Sequence, residues 1–235
     1  MDEARCFAIV PAAGMGKRMQ AGMNKQYLLL DGVPIVARTL QVFQQSKLVD
    51  GIILVTPQPE ITFCRQEIVE KYALDKVIAI VPGGKERQHS VFNGLQELLK
   101  YASATDVVMI HDGVRPFIDE KLIKQMYSNV KEHGAALVAV PVKDTIKTVA
   151  NGFVVATPDR STLWQAQTPQ AFRFGMILDA HKKADADGFL GTDDCALYER
   201  AGGKIAIVTG DYSNIKITTP EDLPIAERLL SLSNL

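Results

Sequence analysis

Short apolar runs, each closed by a turn-forming or acidic residue and followed by a helical repeat, set the rhythm of the first part of the chain. Cys6-Phe-Ala-Ile-Val10, Gly51-Ile-Ile-Leu-Val55, Val77-Ile-Ala-Ile-Val81, Asp106-Val-Val-Met-Ile110 and Ala135-Ala-Leu-Val-Ala-Val140 are apolar without alternation. That pattern predicts strands buried on both faces. Between them, apolar residues return at helical spacing: Val36, Leu40 and Phe43; Ile61, Cys64, Ile68 and Tyr72; Val91, Leu95 and Leu98; Leu122, Met126 and Val130. Pro34 suits a first helical turn. Strands alternating with helices predict right-handed crossovers and a mostly parallel, twisted sheet covered by helices on both faces. Ligands of such α/β sheets bind beyond the carboxyl ends of the strands.

The rhythm breaks at Thr145. Thr145-Ile-Lys-Thr-Val149 and Phe153-Val-Val-Ala-Thr157 flank Asn151-Gly152, a two-residue hairpin signal. This ribbon has too few apolar residues for a core of its own and must pack on something else. Mixed structure follows. Leu163–Phe172 reads as extended, and Ile177, His181 and Ala184 share a helical face. Thr192-Asp-Asp reads as the cap of a helix ending at Gly202-Gly203, Ile205-Ala-Ile-Val208 as a strand, and Thr219-Pro-Glu-Asp222 as the start of a last helix. With no repeat, low-complexity tract or linker, residues 1–235 are read as one Rossmann-like domain with a projecting β-hairpin arm at about 143–170.

Composition narrows the class. A 235-residue chain with 47% hydrophobic and 23% charged residues is an ordinary globular one. A formal charge of −1 argues against a sequence-independent grip on nucleic acid. Cys6, Cys64 and Cys195 are odd in number and far apart, which argues against a disulfide framework or a zinc site, and Cys6 and Cys64 read as core thiols. The first residues lack a signal-peptide layout and no apolar run reaches about 18 residues, so no membrane segment is expected and a cytoplasmic location is.

The candidate chemistry starts where the first strand ends. Val10-Pro-Ala-Ala-Gly-Met-Gly-Lys-Arg-Met19 combines small residues, Gly14, Gly16, Lys17 and Arg18, with Lys25 six positions on. Backbone N–H groups of such a loop can cradle phosphate oxygens, and the cations add charge. It is not a P-loop, because Arg18 follows Lys17, and it is not a dinucleotide fingerprint, because Met19 holds the third glycine position.

The loop resembles that of nucleotidyltransferases that join a nucleoside monophosphate to a sugar or alditol phosphate. Five further blocks follow in order: Lys25-Gln-Tyr27, His111-Asp-Gly-Val-Arg-Pro116, Val140-Pro-Val-Lys-Asp-Thr145, Leu163-Trp-Gln-Ala-Gln-Thr-Pro-Gln170 and Asn214-Ile-Lys216. From about Ala8 to Leu223 the chain is similar to the 2-C-methyl-D-erythritol 4-phosphate cytidylyltransferases, CTP-using enzymes of the non-mevalonate isoprenoid pathway. That resemblance implies transfer of CMP from CTP to methylerythritol phosphate, with release of pyrophosphate. Both reactants are anions, so positioning and positive charge must dominate, usually with a divalent metal.

By that resemblance Arg18 and Lys25 stabilise the triphosphate and the transition state, and Lys216 is directed at the α-phosphate; Lys17 reads as a solvated neighbour. Ala12, Ala13, Gly84 and Ser90 match positions lining a cytosine pocket, beside the loop glycines Gly14 and Gly16. Asp112, a carboxylate at a strand end in a phosphate site, is the candidate for nucleotide and Mg²⁺ binding, with Asp211 a weaker second acid. Arg115 and Arg160 can fork a substrate phosphate, and Thr145, Thr168 and Thr192 match substrate-bonding positions. The arm implies a homodimer in which Thr145 and Arg160 reach the neighbouring subunit's site. His111 reads as orienting its loop, since a phosphate nucleophile is already ionised near neutral pH. His89, His133 and His181 read as exposed or locally satisfied, and Trp164 as packing. Three rivals remain: ribitol-5-phosphate cytidylyltransferase, a non-catalytic nucleotide sensor, and a Rossmann dehydrogenase.

Overall fold

The computed structural model describes residues 4–14 and 24–233. The chain begins with β1 (Cys6–Pro11), the short pair β2 (Leu29–Leu30) and β3 (Val33–Pro34), and α1 (Ile35–Gln45). It continues with β4 (Gly51–Thr56), α2 (Ile61–Phe63, prolonged by π-type turns over Cys64–Glu70), β5 (Val77–Pro82) and α3 (Arg87–Leu98). β6 (Val107–Ile110), α4 (Glu120–His133) and β7 (Ala135–Pro141) lead to a hairpin of β8 (Thr148–Ala150) and β9 (Phe153–Ala156). β10 (Trp164–Arg173), α5 (Phe174–Ala186), α6 (Asp194–Arg200), β11 (Ala206–Thr209) and α7 (Asp222–Ser233) complete it.

Seven strands form one sheet in the order β11-β7-β10-β6-β1-β4-β5. Successive side chains of a strand point to opposite faces, and both faces here are covered. Cys6, Ala8 and Val10 pack with α1, α2 and α4, while Phe7 and Ile9 pack with α3, α5 and α6. This is why the strands read as continuous apolar runs. Each large aliphatic side chain so buried contributes about 1.5–3 kcal/mol. A smaller cluster of Leu30, Ile35, Val114, Ile217 and Ala226 ties α7 and the segment after β11 to the sheet edge.

β10 departs from the parallel pattern and runs antiparallel to both β6 and β7. Its connection explains this: the chain leaves β7, makes the hairpin excursion and returns directly, without a crossover helix that would restore direction. The hairpin itself follows the Asn-Gly signal. Asn151 and Gly152 take φ values of 51° and 82°, the left-handed pair that a tight hairpin turn requires. Its apolar side chains stand in solvent, Phe153 at 76% and Val154 at 61% exposure.

Three local expectations are corrected. The N-cap of α6 is Asp193, whose carboxylate accepts from Ala196 N at 2.9 Å, and Thr192 beside it is exposed. Trp164 is 42% exposed at the arm end of β10 and is not packing. His181 is neither exposed nor satisfied within its own helix; it is buried and bonded to Asp194 at 3.1 Å. The three cysteines are free and buried, as expected of core thiols. Among the described residues, no helix is long and apolar enough to cross a membrane.

Candidate active site

Because β1, β4, β5 and β6 run parallel, their carboxyl ends share one edge of the sheet. A hollow of about 690 Å³ opens there, within the range of small-molecule sites. Ala12, Ala13 and Gly14 after β1, Pro57 and Gln58 after β4, Gly83 and Gly84 after β5, and Asp112 after β6 all line it. The loops lean directly on one another. A Cβ on Gly83 would lie 2.3 Å from the Cβ of Ala13, and one on Gly84 would lie 2.4 Å from that of His89, so neither position admits a side chain without displacing its neighbour. Ser90 fixes the β5 loop: its hydroxyl accepts from Gly84 N at 3.0 Å and donates to Glu86 O at 3.1 Å.

Lys25, Lys85, Arg87 and Lys216 line the hollow with the acids Glu86 and Asp112. Asp112, 6% exposed, stands among three cations. Its Oδ1 accepts from Arg87 Nε at 3.2 Å, and its Oδ2 lies 2.8 Å from Lys216 Nζ and 3.6 Å from Arg115 Nε. Burial alone would raise the carboxyl, but Arg87 and then Lys216 and Arg115 hold it far below the usual carboxylate range. Arg115 turns inward, donating to Asn214 O at 2.6 Å. Lys216 is placed by its neighbours: Ile217 N donates to Val114 O at 3.0 Å, and the Asn214 amide donates to Thr168 O at 2.9 Å.

His111 and Thr168 brace this centre from behind. Asp112 N–H donates to Thr168 Oγ1 at 3.1 Å, and that hydroxyl lies 3.0 Å from His111 Nδ1. His111 Nε2 lies 2.9 Å from the carbonyl of Arg115, which can only accept, so Nε2 carries the hydrogen and Nδ1 receives the threonine proton. The ring is fully buried and neutral, and burial pushes its pKa down to about 4. In the unfolded chain the same ring protonates near 6.5. Protons therefore bind the unfolded state preferentially below pH 6.5, and stability falls as pH drops from about 6.5 to about 4, by up to about 3 kcal/mol. Denaturant midpoints at stepped pH values check this: His111→Asn should flatten the upper part of that fall, and an unchanged slope would remove His111 as its cause.

Lys25 opens a short 3-10 turn over Lys25–Tyr27. Tyr27 anchors it, donating to Glu60 Oε2 at 2.6 Å and lying 3.1 Å from the Thr56 hydroxyl, while Asn24 also bonds Glu60. The turn is thus tied to the end of β4, and Lys25 reaches the hollow from an anchored base.

This edge of cations and small residues around a single buried acid suits a nucleoside polyphosphate. The family model for 2-C-methyl-D-erythritol 4-phosphate cytidylyltransferase matches residues 6–232. The chain belongs to this family. A cytidylyltransferase of that name in Geobacter metallireducens is 58% identical over 224 residues, covering 95% of this chain and 97% of the relative. One in Geotalea uraniireducens is 55% identical, with 98% of each chain covered. The crystal structure of 4-diphosphocytidyl-2C-methyl-D-erythritol synthase from Anaerococcus prevotii superposes with a TM-score of 0.83 at 35% identity, covering 98% of this chain and all of that one.

Against this cytidylyltransferase family, the residues predicted from sequence divide cleanly. Ala12, Ala13, Gly14, Lys25, Gly84, Ser90, Asp112 and Lys216 line one hollow. Gly16, Lys17 and Arg18 lie outside the described residues. Arg115 and Thr168 stand behind Asp112 and are engaged internally. Thr145, Arg160 and Thr192 are exposed and do not line the hollow; Arg160 donates to Lys143 O at 2.7 Å. Asp211 lines a separate hollow beside Ser213 and Asn214, with its Oδ1 accepting from Ser213 N at 2.7 Å. Arg87 was not anticipated. Its signal was a cation three residues past the glycine pair of β5, where a helix starts at the sheet's ligand-binding edge.

Proposed function

We propose that this chain transfers CMP from CTP to 2-C-methyl-D-erythritol 4-phosphate, forming 4-diphosphocytidyl-2-C-methyl-D-erythritol and pyrophosphate in the 690 Å³ hollow. The observation that carries the reading is the convergence of Lys25, Arg87, Lys216 and Asp112 on one hollow, with Ala12, Ala13 and Gly84 as its floor of small residues. The base lies against that floor, whose backbone amides and small side chains suit a pyrimidine ring. Lys25 and the cations near it hold the triphosphate. Lys216 faces the α-phosphate and offsets charge as an oxygen of the sugar-alcohol phosphate attacks in line and pyrophosphate leaves. No general base is required, since the attacking phosphate is ionised near neutral pH.

The metal is taken as Mg²⁺. Among the described residues there is no cluster of three His, Cys, Asp or Glu that would cage an ion. The donor set fits a cation that keeps several waters and leans on one carboxylate and the substrate phosphates, which is the habit of Mg²⁺. Asp112 would hold it, and the ion would supply charge neutralisation across the phosphates.

Thr145 and Arg160 serve the site of a second copy in this reading. They belong to the excursion from 143 to 170, whose solvent-standing Val149, Phe153, Val154 and Val155 are supports for a dimerising arm on a single domain. Arg160→Ala is then expected to raise KM for methylerythritol phosphate with CTP affinity unchanged, as steady-state kinetics and a CTP titration would resolve; a fall in CTP affinity instead would remove the arm from the alditol site. A cytoplasmic setting agrees with three free, buried cysteines. Substrate identity is tested by turnover with CTP and either methylerythritol phosphate or ribitol 5-phosphate under the same conditions. Faster turnover of the methylerythritol substrate is expected; faster ribitol turnover would reassign the enzyme, and absence of pyrophosphate release with both would make it a sensor.

A further inference from the structure

Behind the hollow lie two buried groups, Asp194 and His181, that the transfer chemistry above does not use. Asp194, at the first position of α6, is 1% exposed and yet keeps its carboxylate charged. Its Oδ2 accepts from Arg87 Nη1 at 2.7 Å and its Oδ1 from His181 Nε2 at 3.1 Å. His181, also 1% exposed, is stacked on Phe92 with ring centroids 5.9 Å apart, and its Nδ1 has no partner among the described residues. Gln170 of β10 pins the same corner, its side-chain oxygen accepting from the backbone N–H of Asp194 and Cys195, each at 3.1 Å. His181 of α5 thus holds the carboxylate, Gln170 of β10 holds its backbone, and the carboxylate holds Arg87 of α3.

A buried ion pair is weak support for stability, because desolvation consumes most of its attraction. Orientation is the better account. A guanidinium is a rigid planar fork, so fixing one η nitrogen fixes where Nε points. With Nη1 clamped by Asp194, Nε of Arg87 donates to Asp112 Oδ1 at 3.2 Å, and Asp112 Oδ2 is left beside Lys216 at 2.8 Å. Without the clamp, Arg87 at the start of α3 would be free to turn toward the neighbouring Glu86 or solvent.

We infer that Asp194, oriented by His181, is a positioning residue that acts through Arg87 to aim the Asp112 carboxylate into the nucleotide hollow. The inference rests on the reading of Asp112 as the acid that serves the metal-bound nucleotide. Its test follows CTP binding by calorimetry at stepped Mg²⁺ concentrations, alongside kcat and KM, in the wild type and in Asp112→Asn, Arg87→Lys, Asp194→Asn and the double variant of the last two. Residues that orient a metal ligand typically cost about 10–100-fold in metal affinity or activity when changed. Asp194→Asn should raise the Mg²⁺ concentration at half-maximal CTP binding and lower kcat within that range. The double variant should be little worse than the poorer single one, because both changes break one chain. Losses that multiply independently, or an unaltered Mg²⁺ dependence in Asp194→Asn while Asp112→Asn shifts it, would overturn the inference and leave the Asp112 reading standing. An unaltered Mg²⁺ dependence in Asp112→Asn would overturn both. Should Asp194→Asn not fold, Arg87→Lys carries the comparison alone, with the same two outcomes.

Discussion

Lys216→Ala is expected to lower turnover of CTP with methylerythritol phosphate by about 10²–10³-fold, the usual cost of removing one electrostatic donor from a reacting centre. The fold should survive it. Asp112 retains Arg87 at 3.2 Å and Arg115 at 3.6 Å after the ammonium is gone, so the buried carboxylate is not left unpaired. Arg87 and Arg115 are each held by a further partner, Asp194 and the Asn214 carbonyl. Lys216 is the more exposed member of the trio, and Asp112 is its one charged partner among the described residues. It is the cation with freedom to leave Asp112 for a phosphate. Steady-state pyrophosphate release, set beside a thermal melt, checks the claim: an unchanged melt with depressed kcat is the expected pair. A near-normal rate would remove Lys216 from the reacting phosphate.

Lys25→Ala should cost as much in turnover, about 10²–10³-fold, for the same electrostatic reason. Its turn has an anchor besides Lys25. Tyr27, 7% exposed, is tied to Glu60 and Thr56, so the backbone at Lys25 keeps its anchor when the side chain is cut. The loss is therefore expected in kcat and in CTP affinity together, since Lys25 serves the triphosphate as well as the transition state. A variant that binds CTP and turns over normally would place the triphosphate elsewhere.

Much of this was legible in the residues because the parallel strands are buried on both sides. Val107–Ile110 has no alternation to confuse, and the acid that follows it stands at the ligand edge by topology alone. The hairpin was equally plain, because Asn151-Gly152 admits few other conformations. The reversed β10 was not, since extended residues carry no sign of direction; direction came from the missing crossover helix. Thr192 and Asp193 both have capping side chains one position apart, and only the backbone trajectory chose Asp193. Arg87 was hidden for a different reason. Its role depends on Asp194, 107 positions later, and nothing local to either residue announces the pairing. Asp211 shows the converse: an acid close in sequence to Lys216 that belongs to another hollow.

The most direct measurement is a crystal structure of the chain with CTP and Mg²⁺. The account places cytosine against Ala12, Ala13 and Gly84, and the α-phosphate within hydrogen-bond reach of Lys216, with Asp112 toward the metal. Cytidine triphosphate seated in the hollow beside Asp211, or lying with its phosphates away from Lys25 and Lys216, would contradict it.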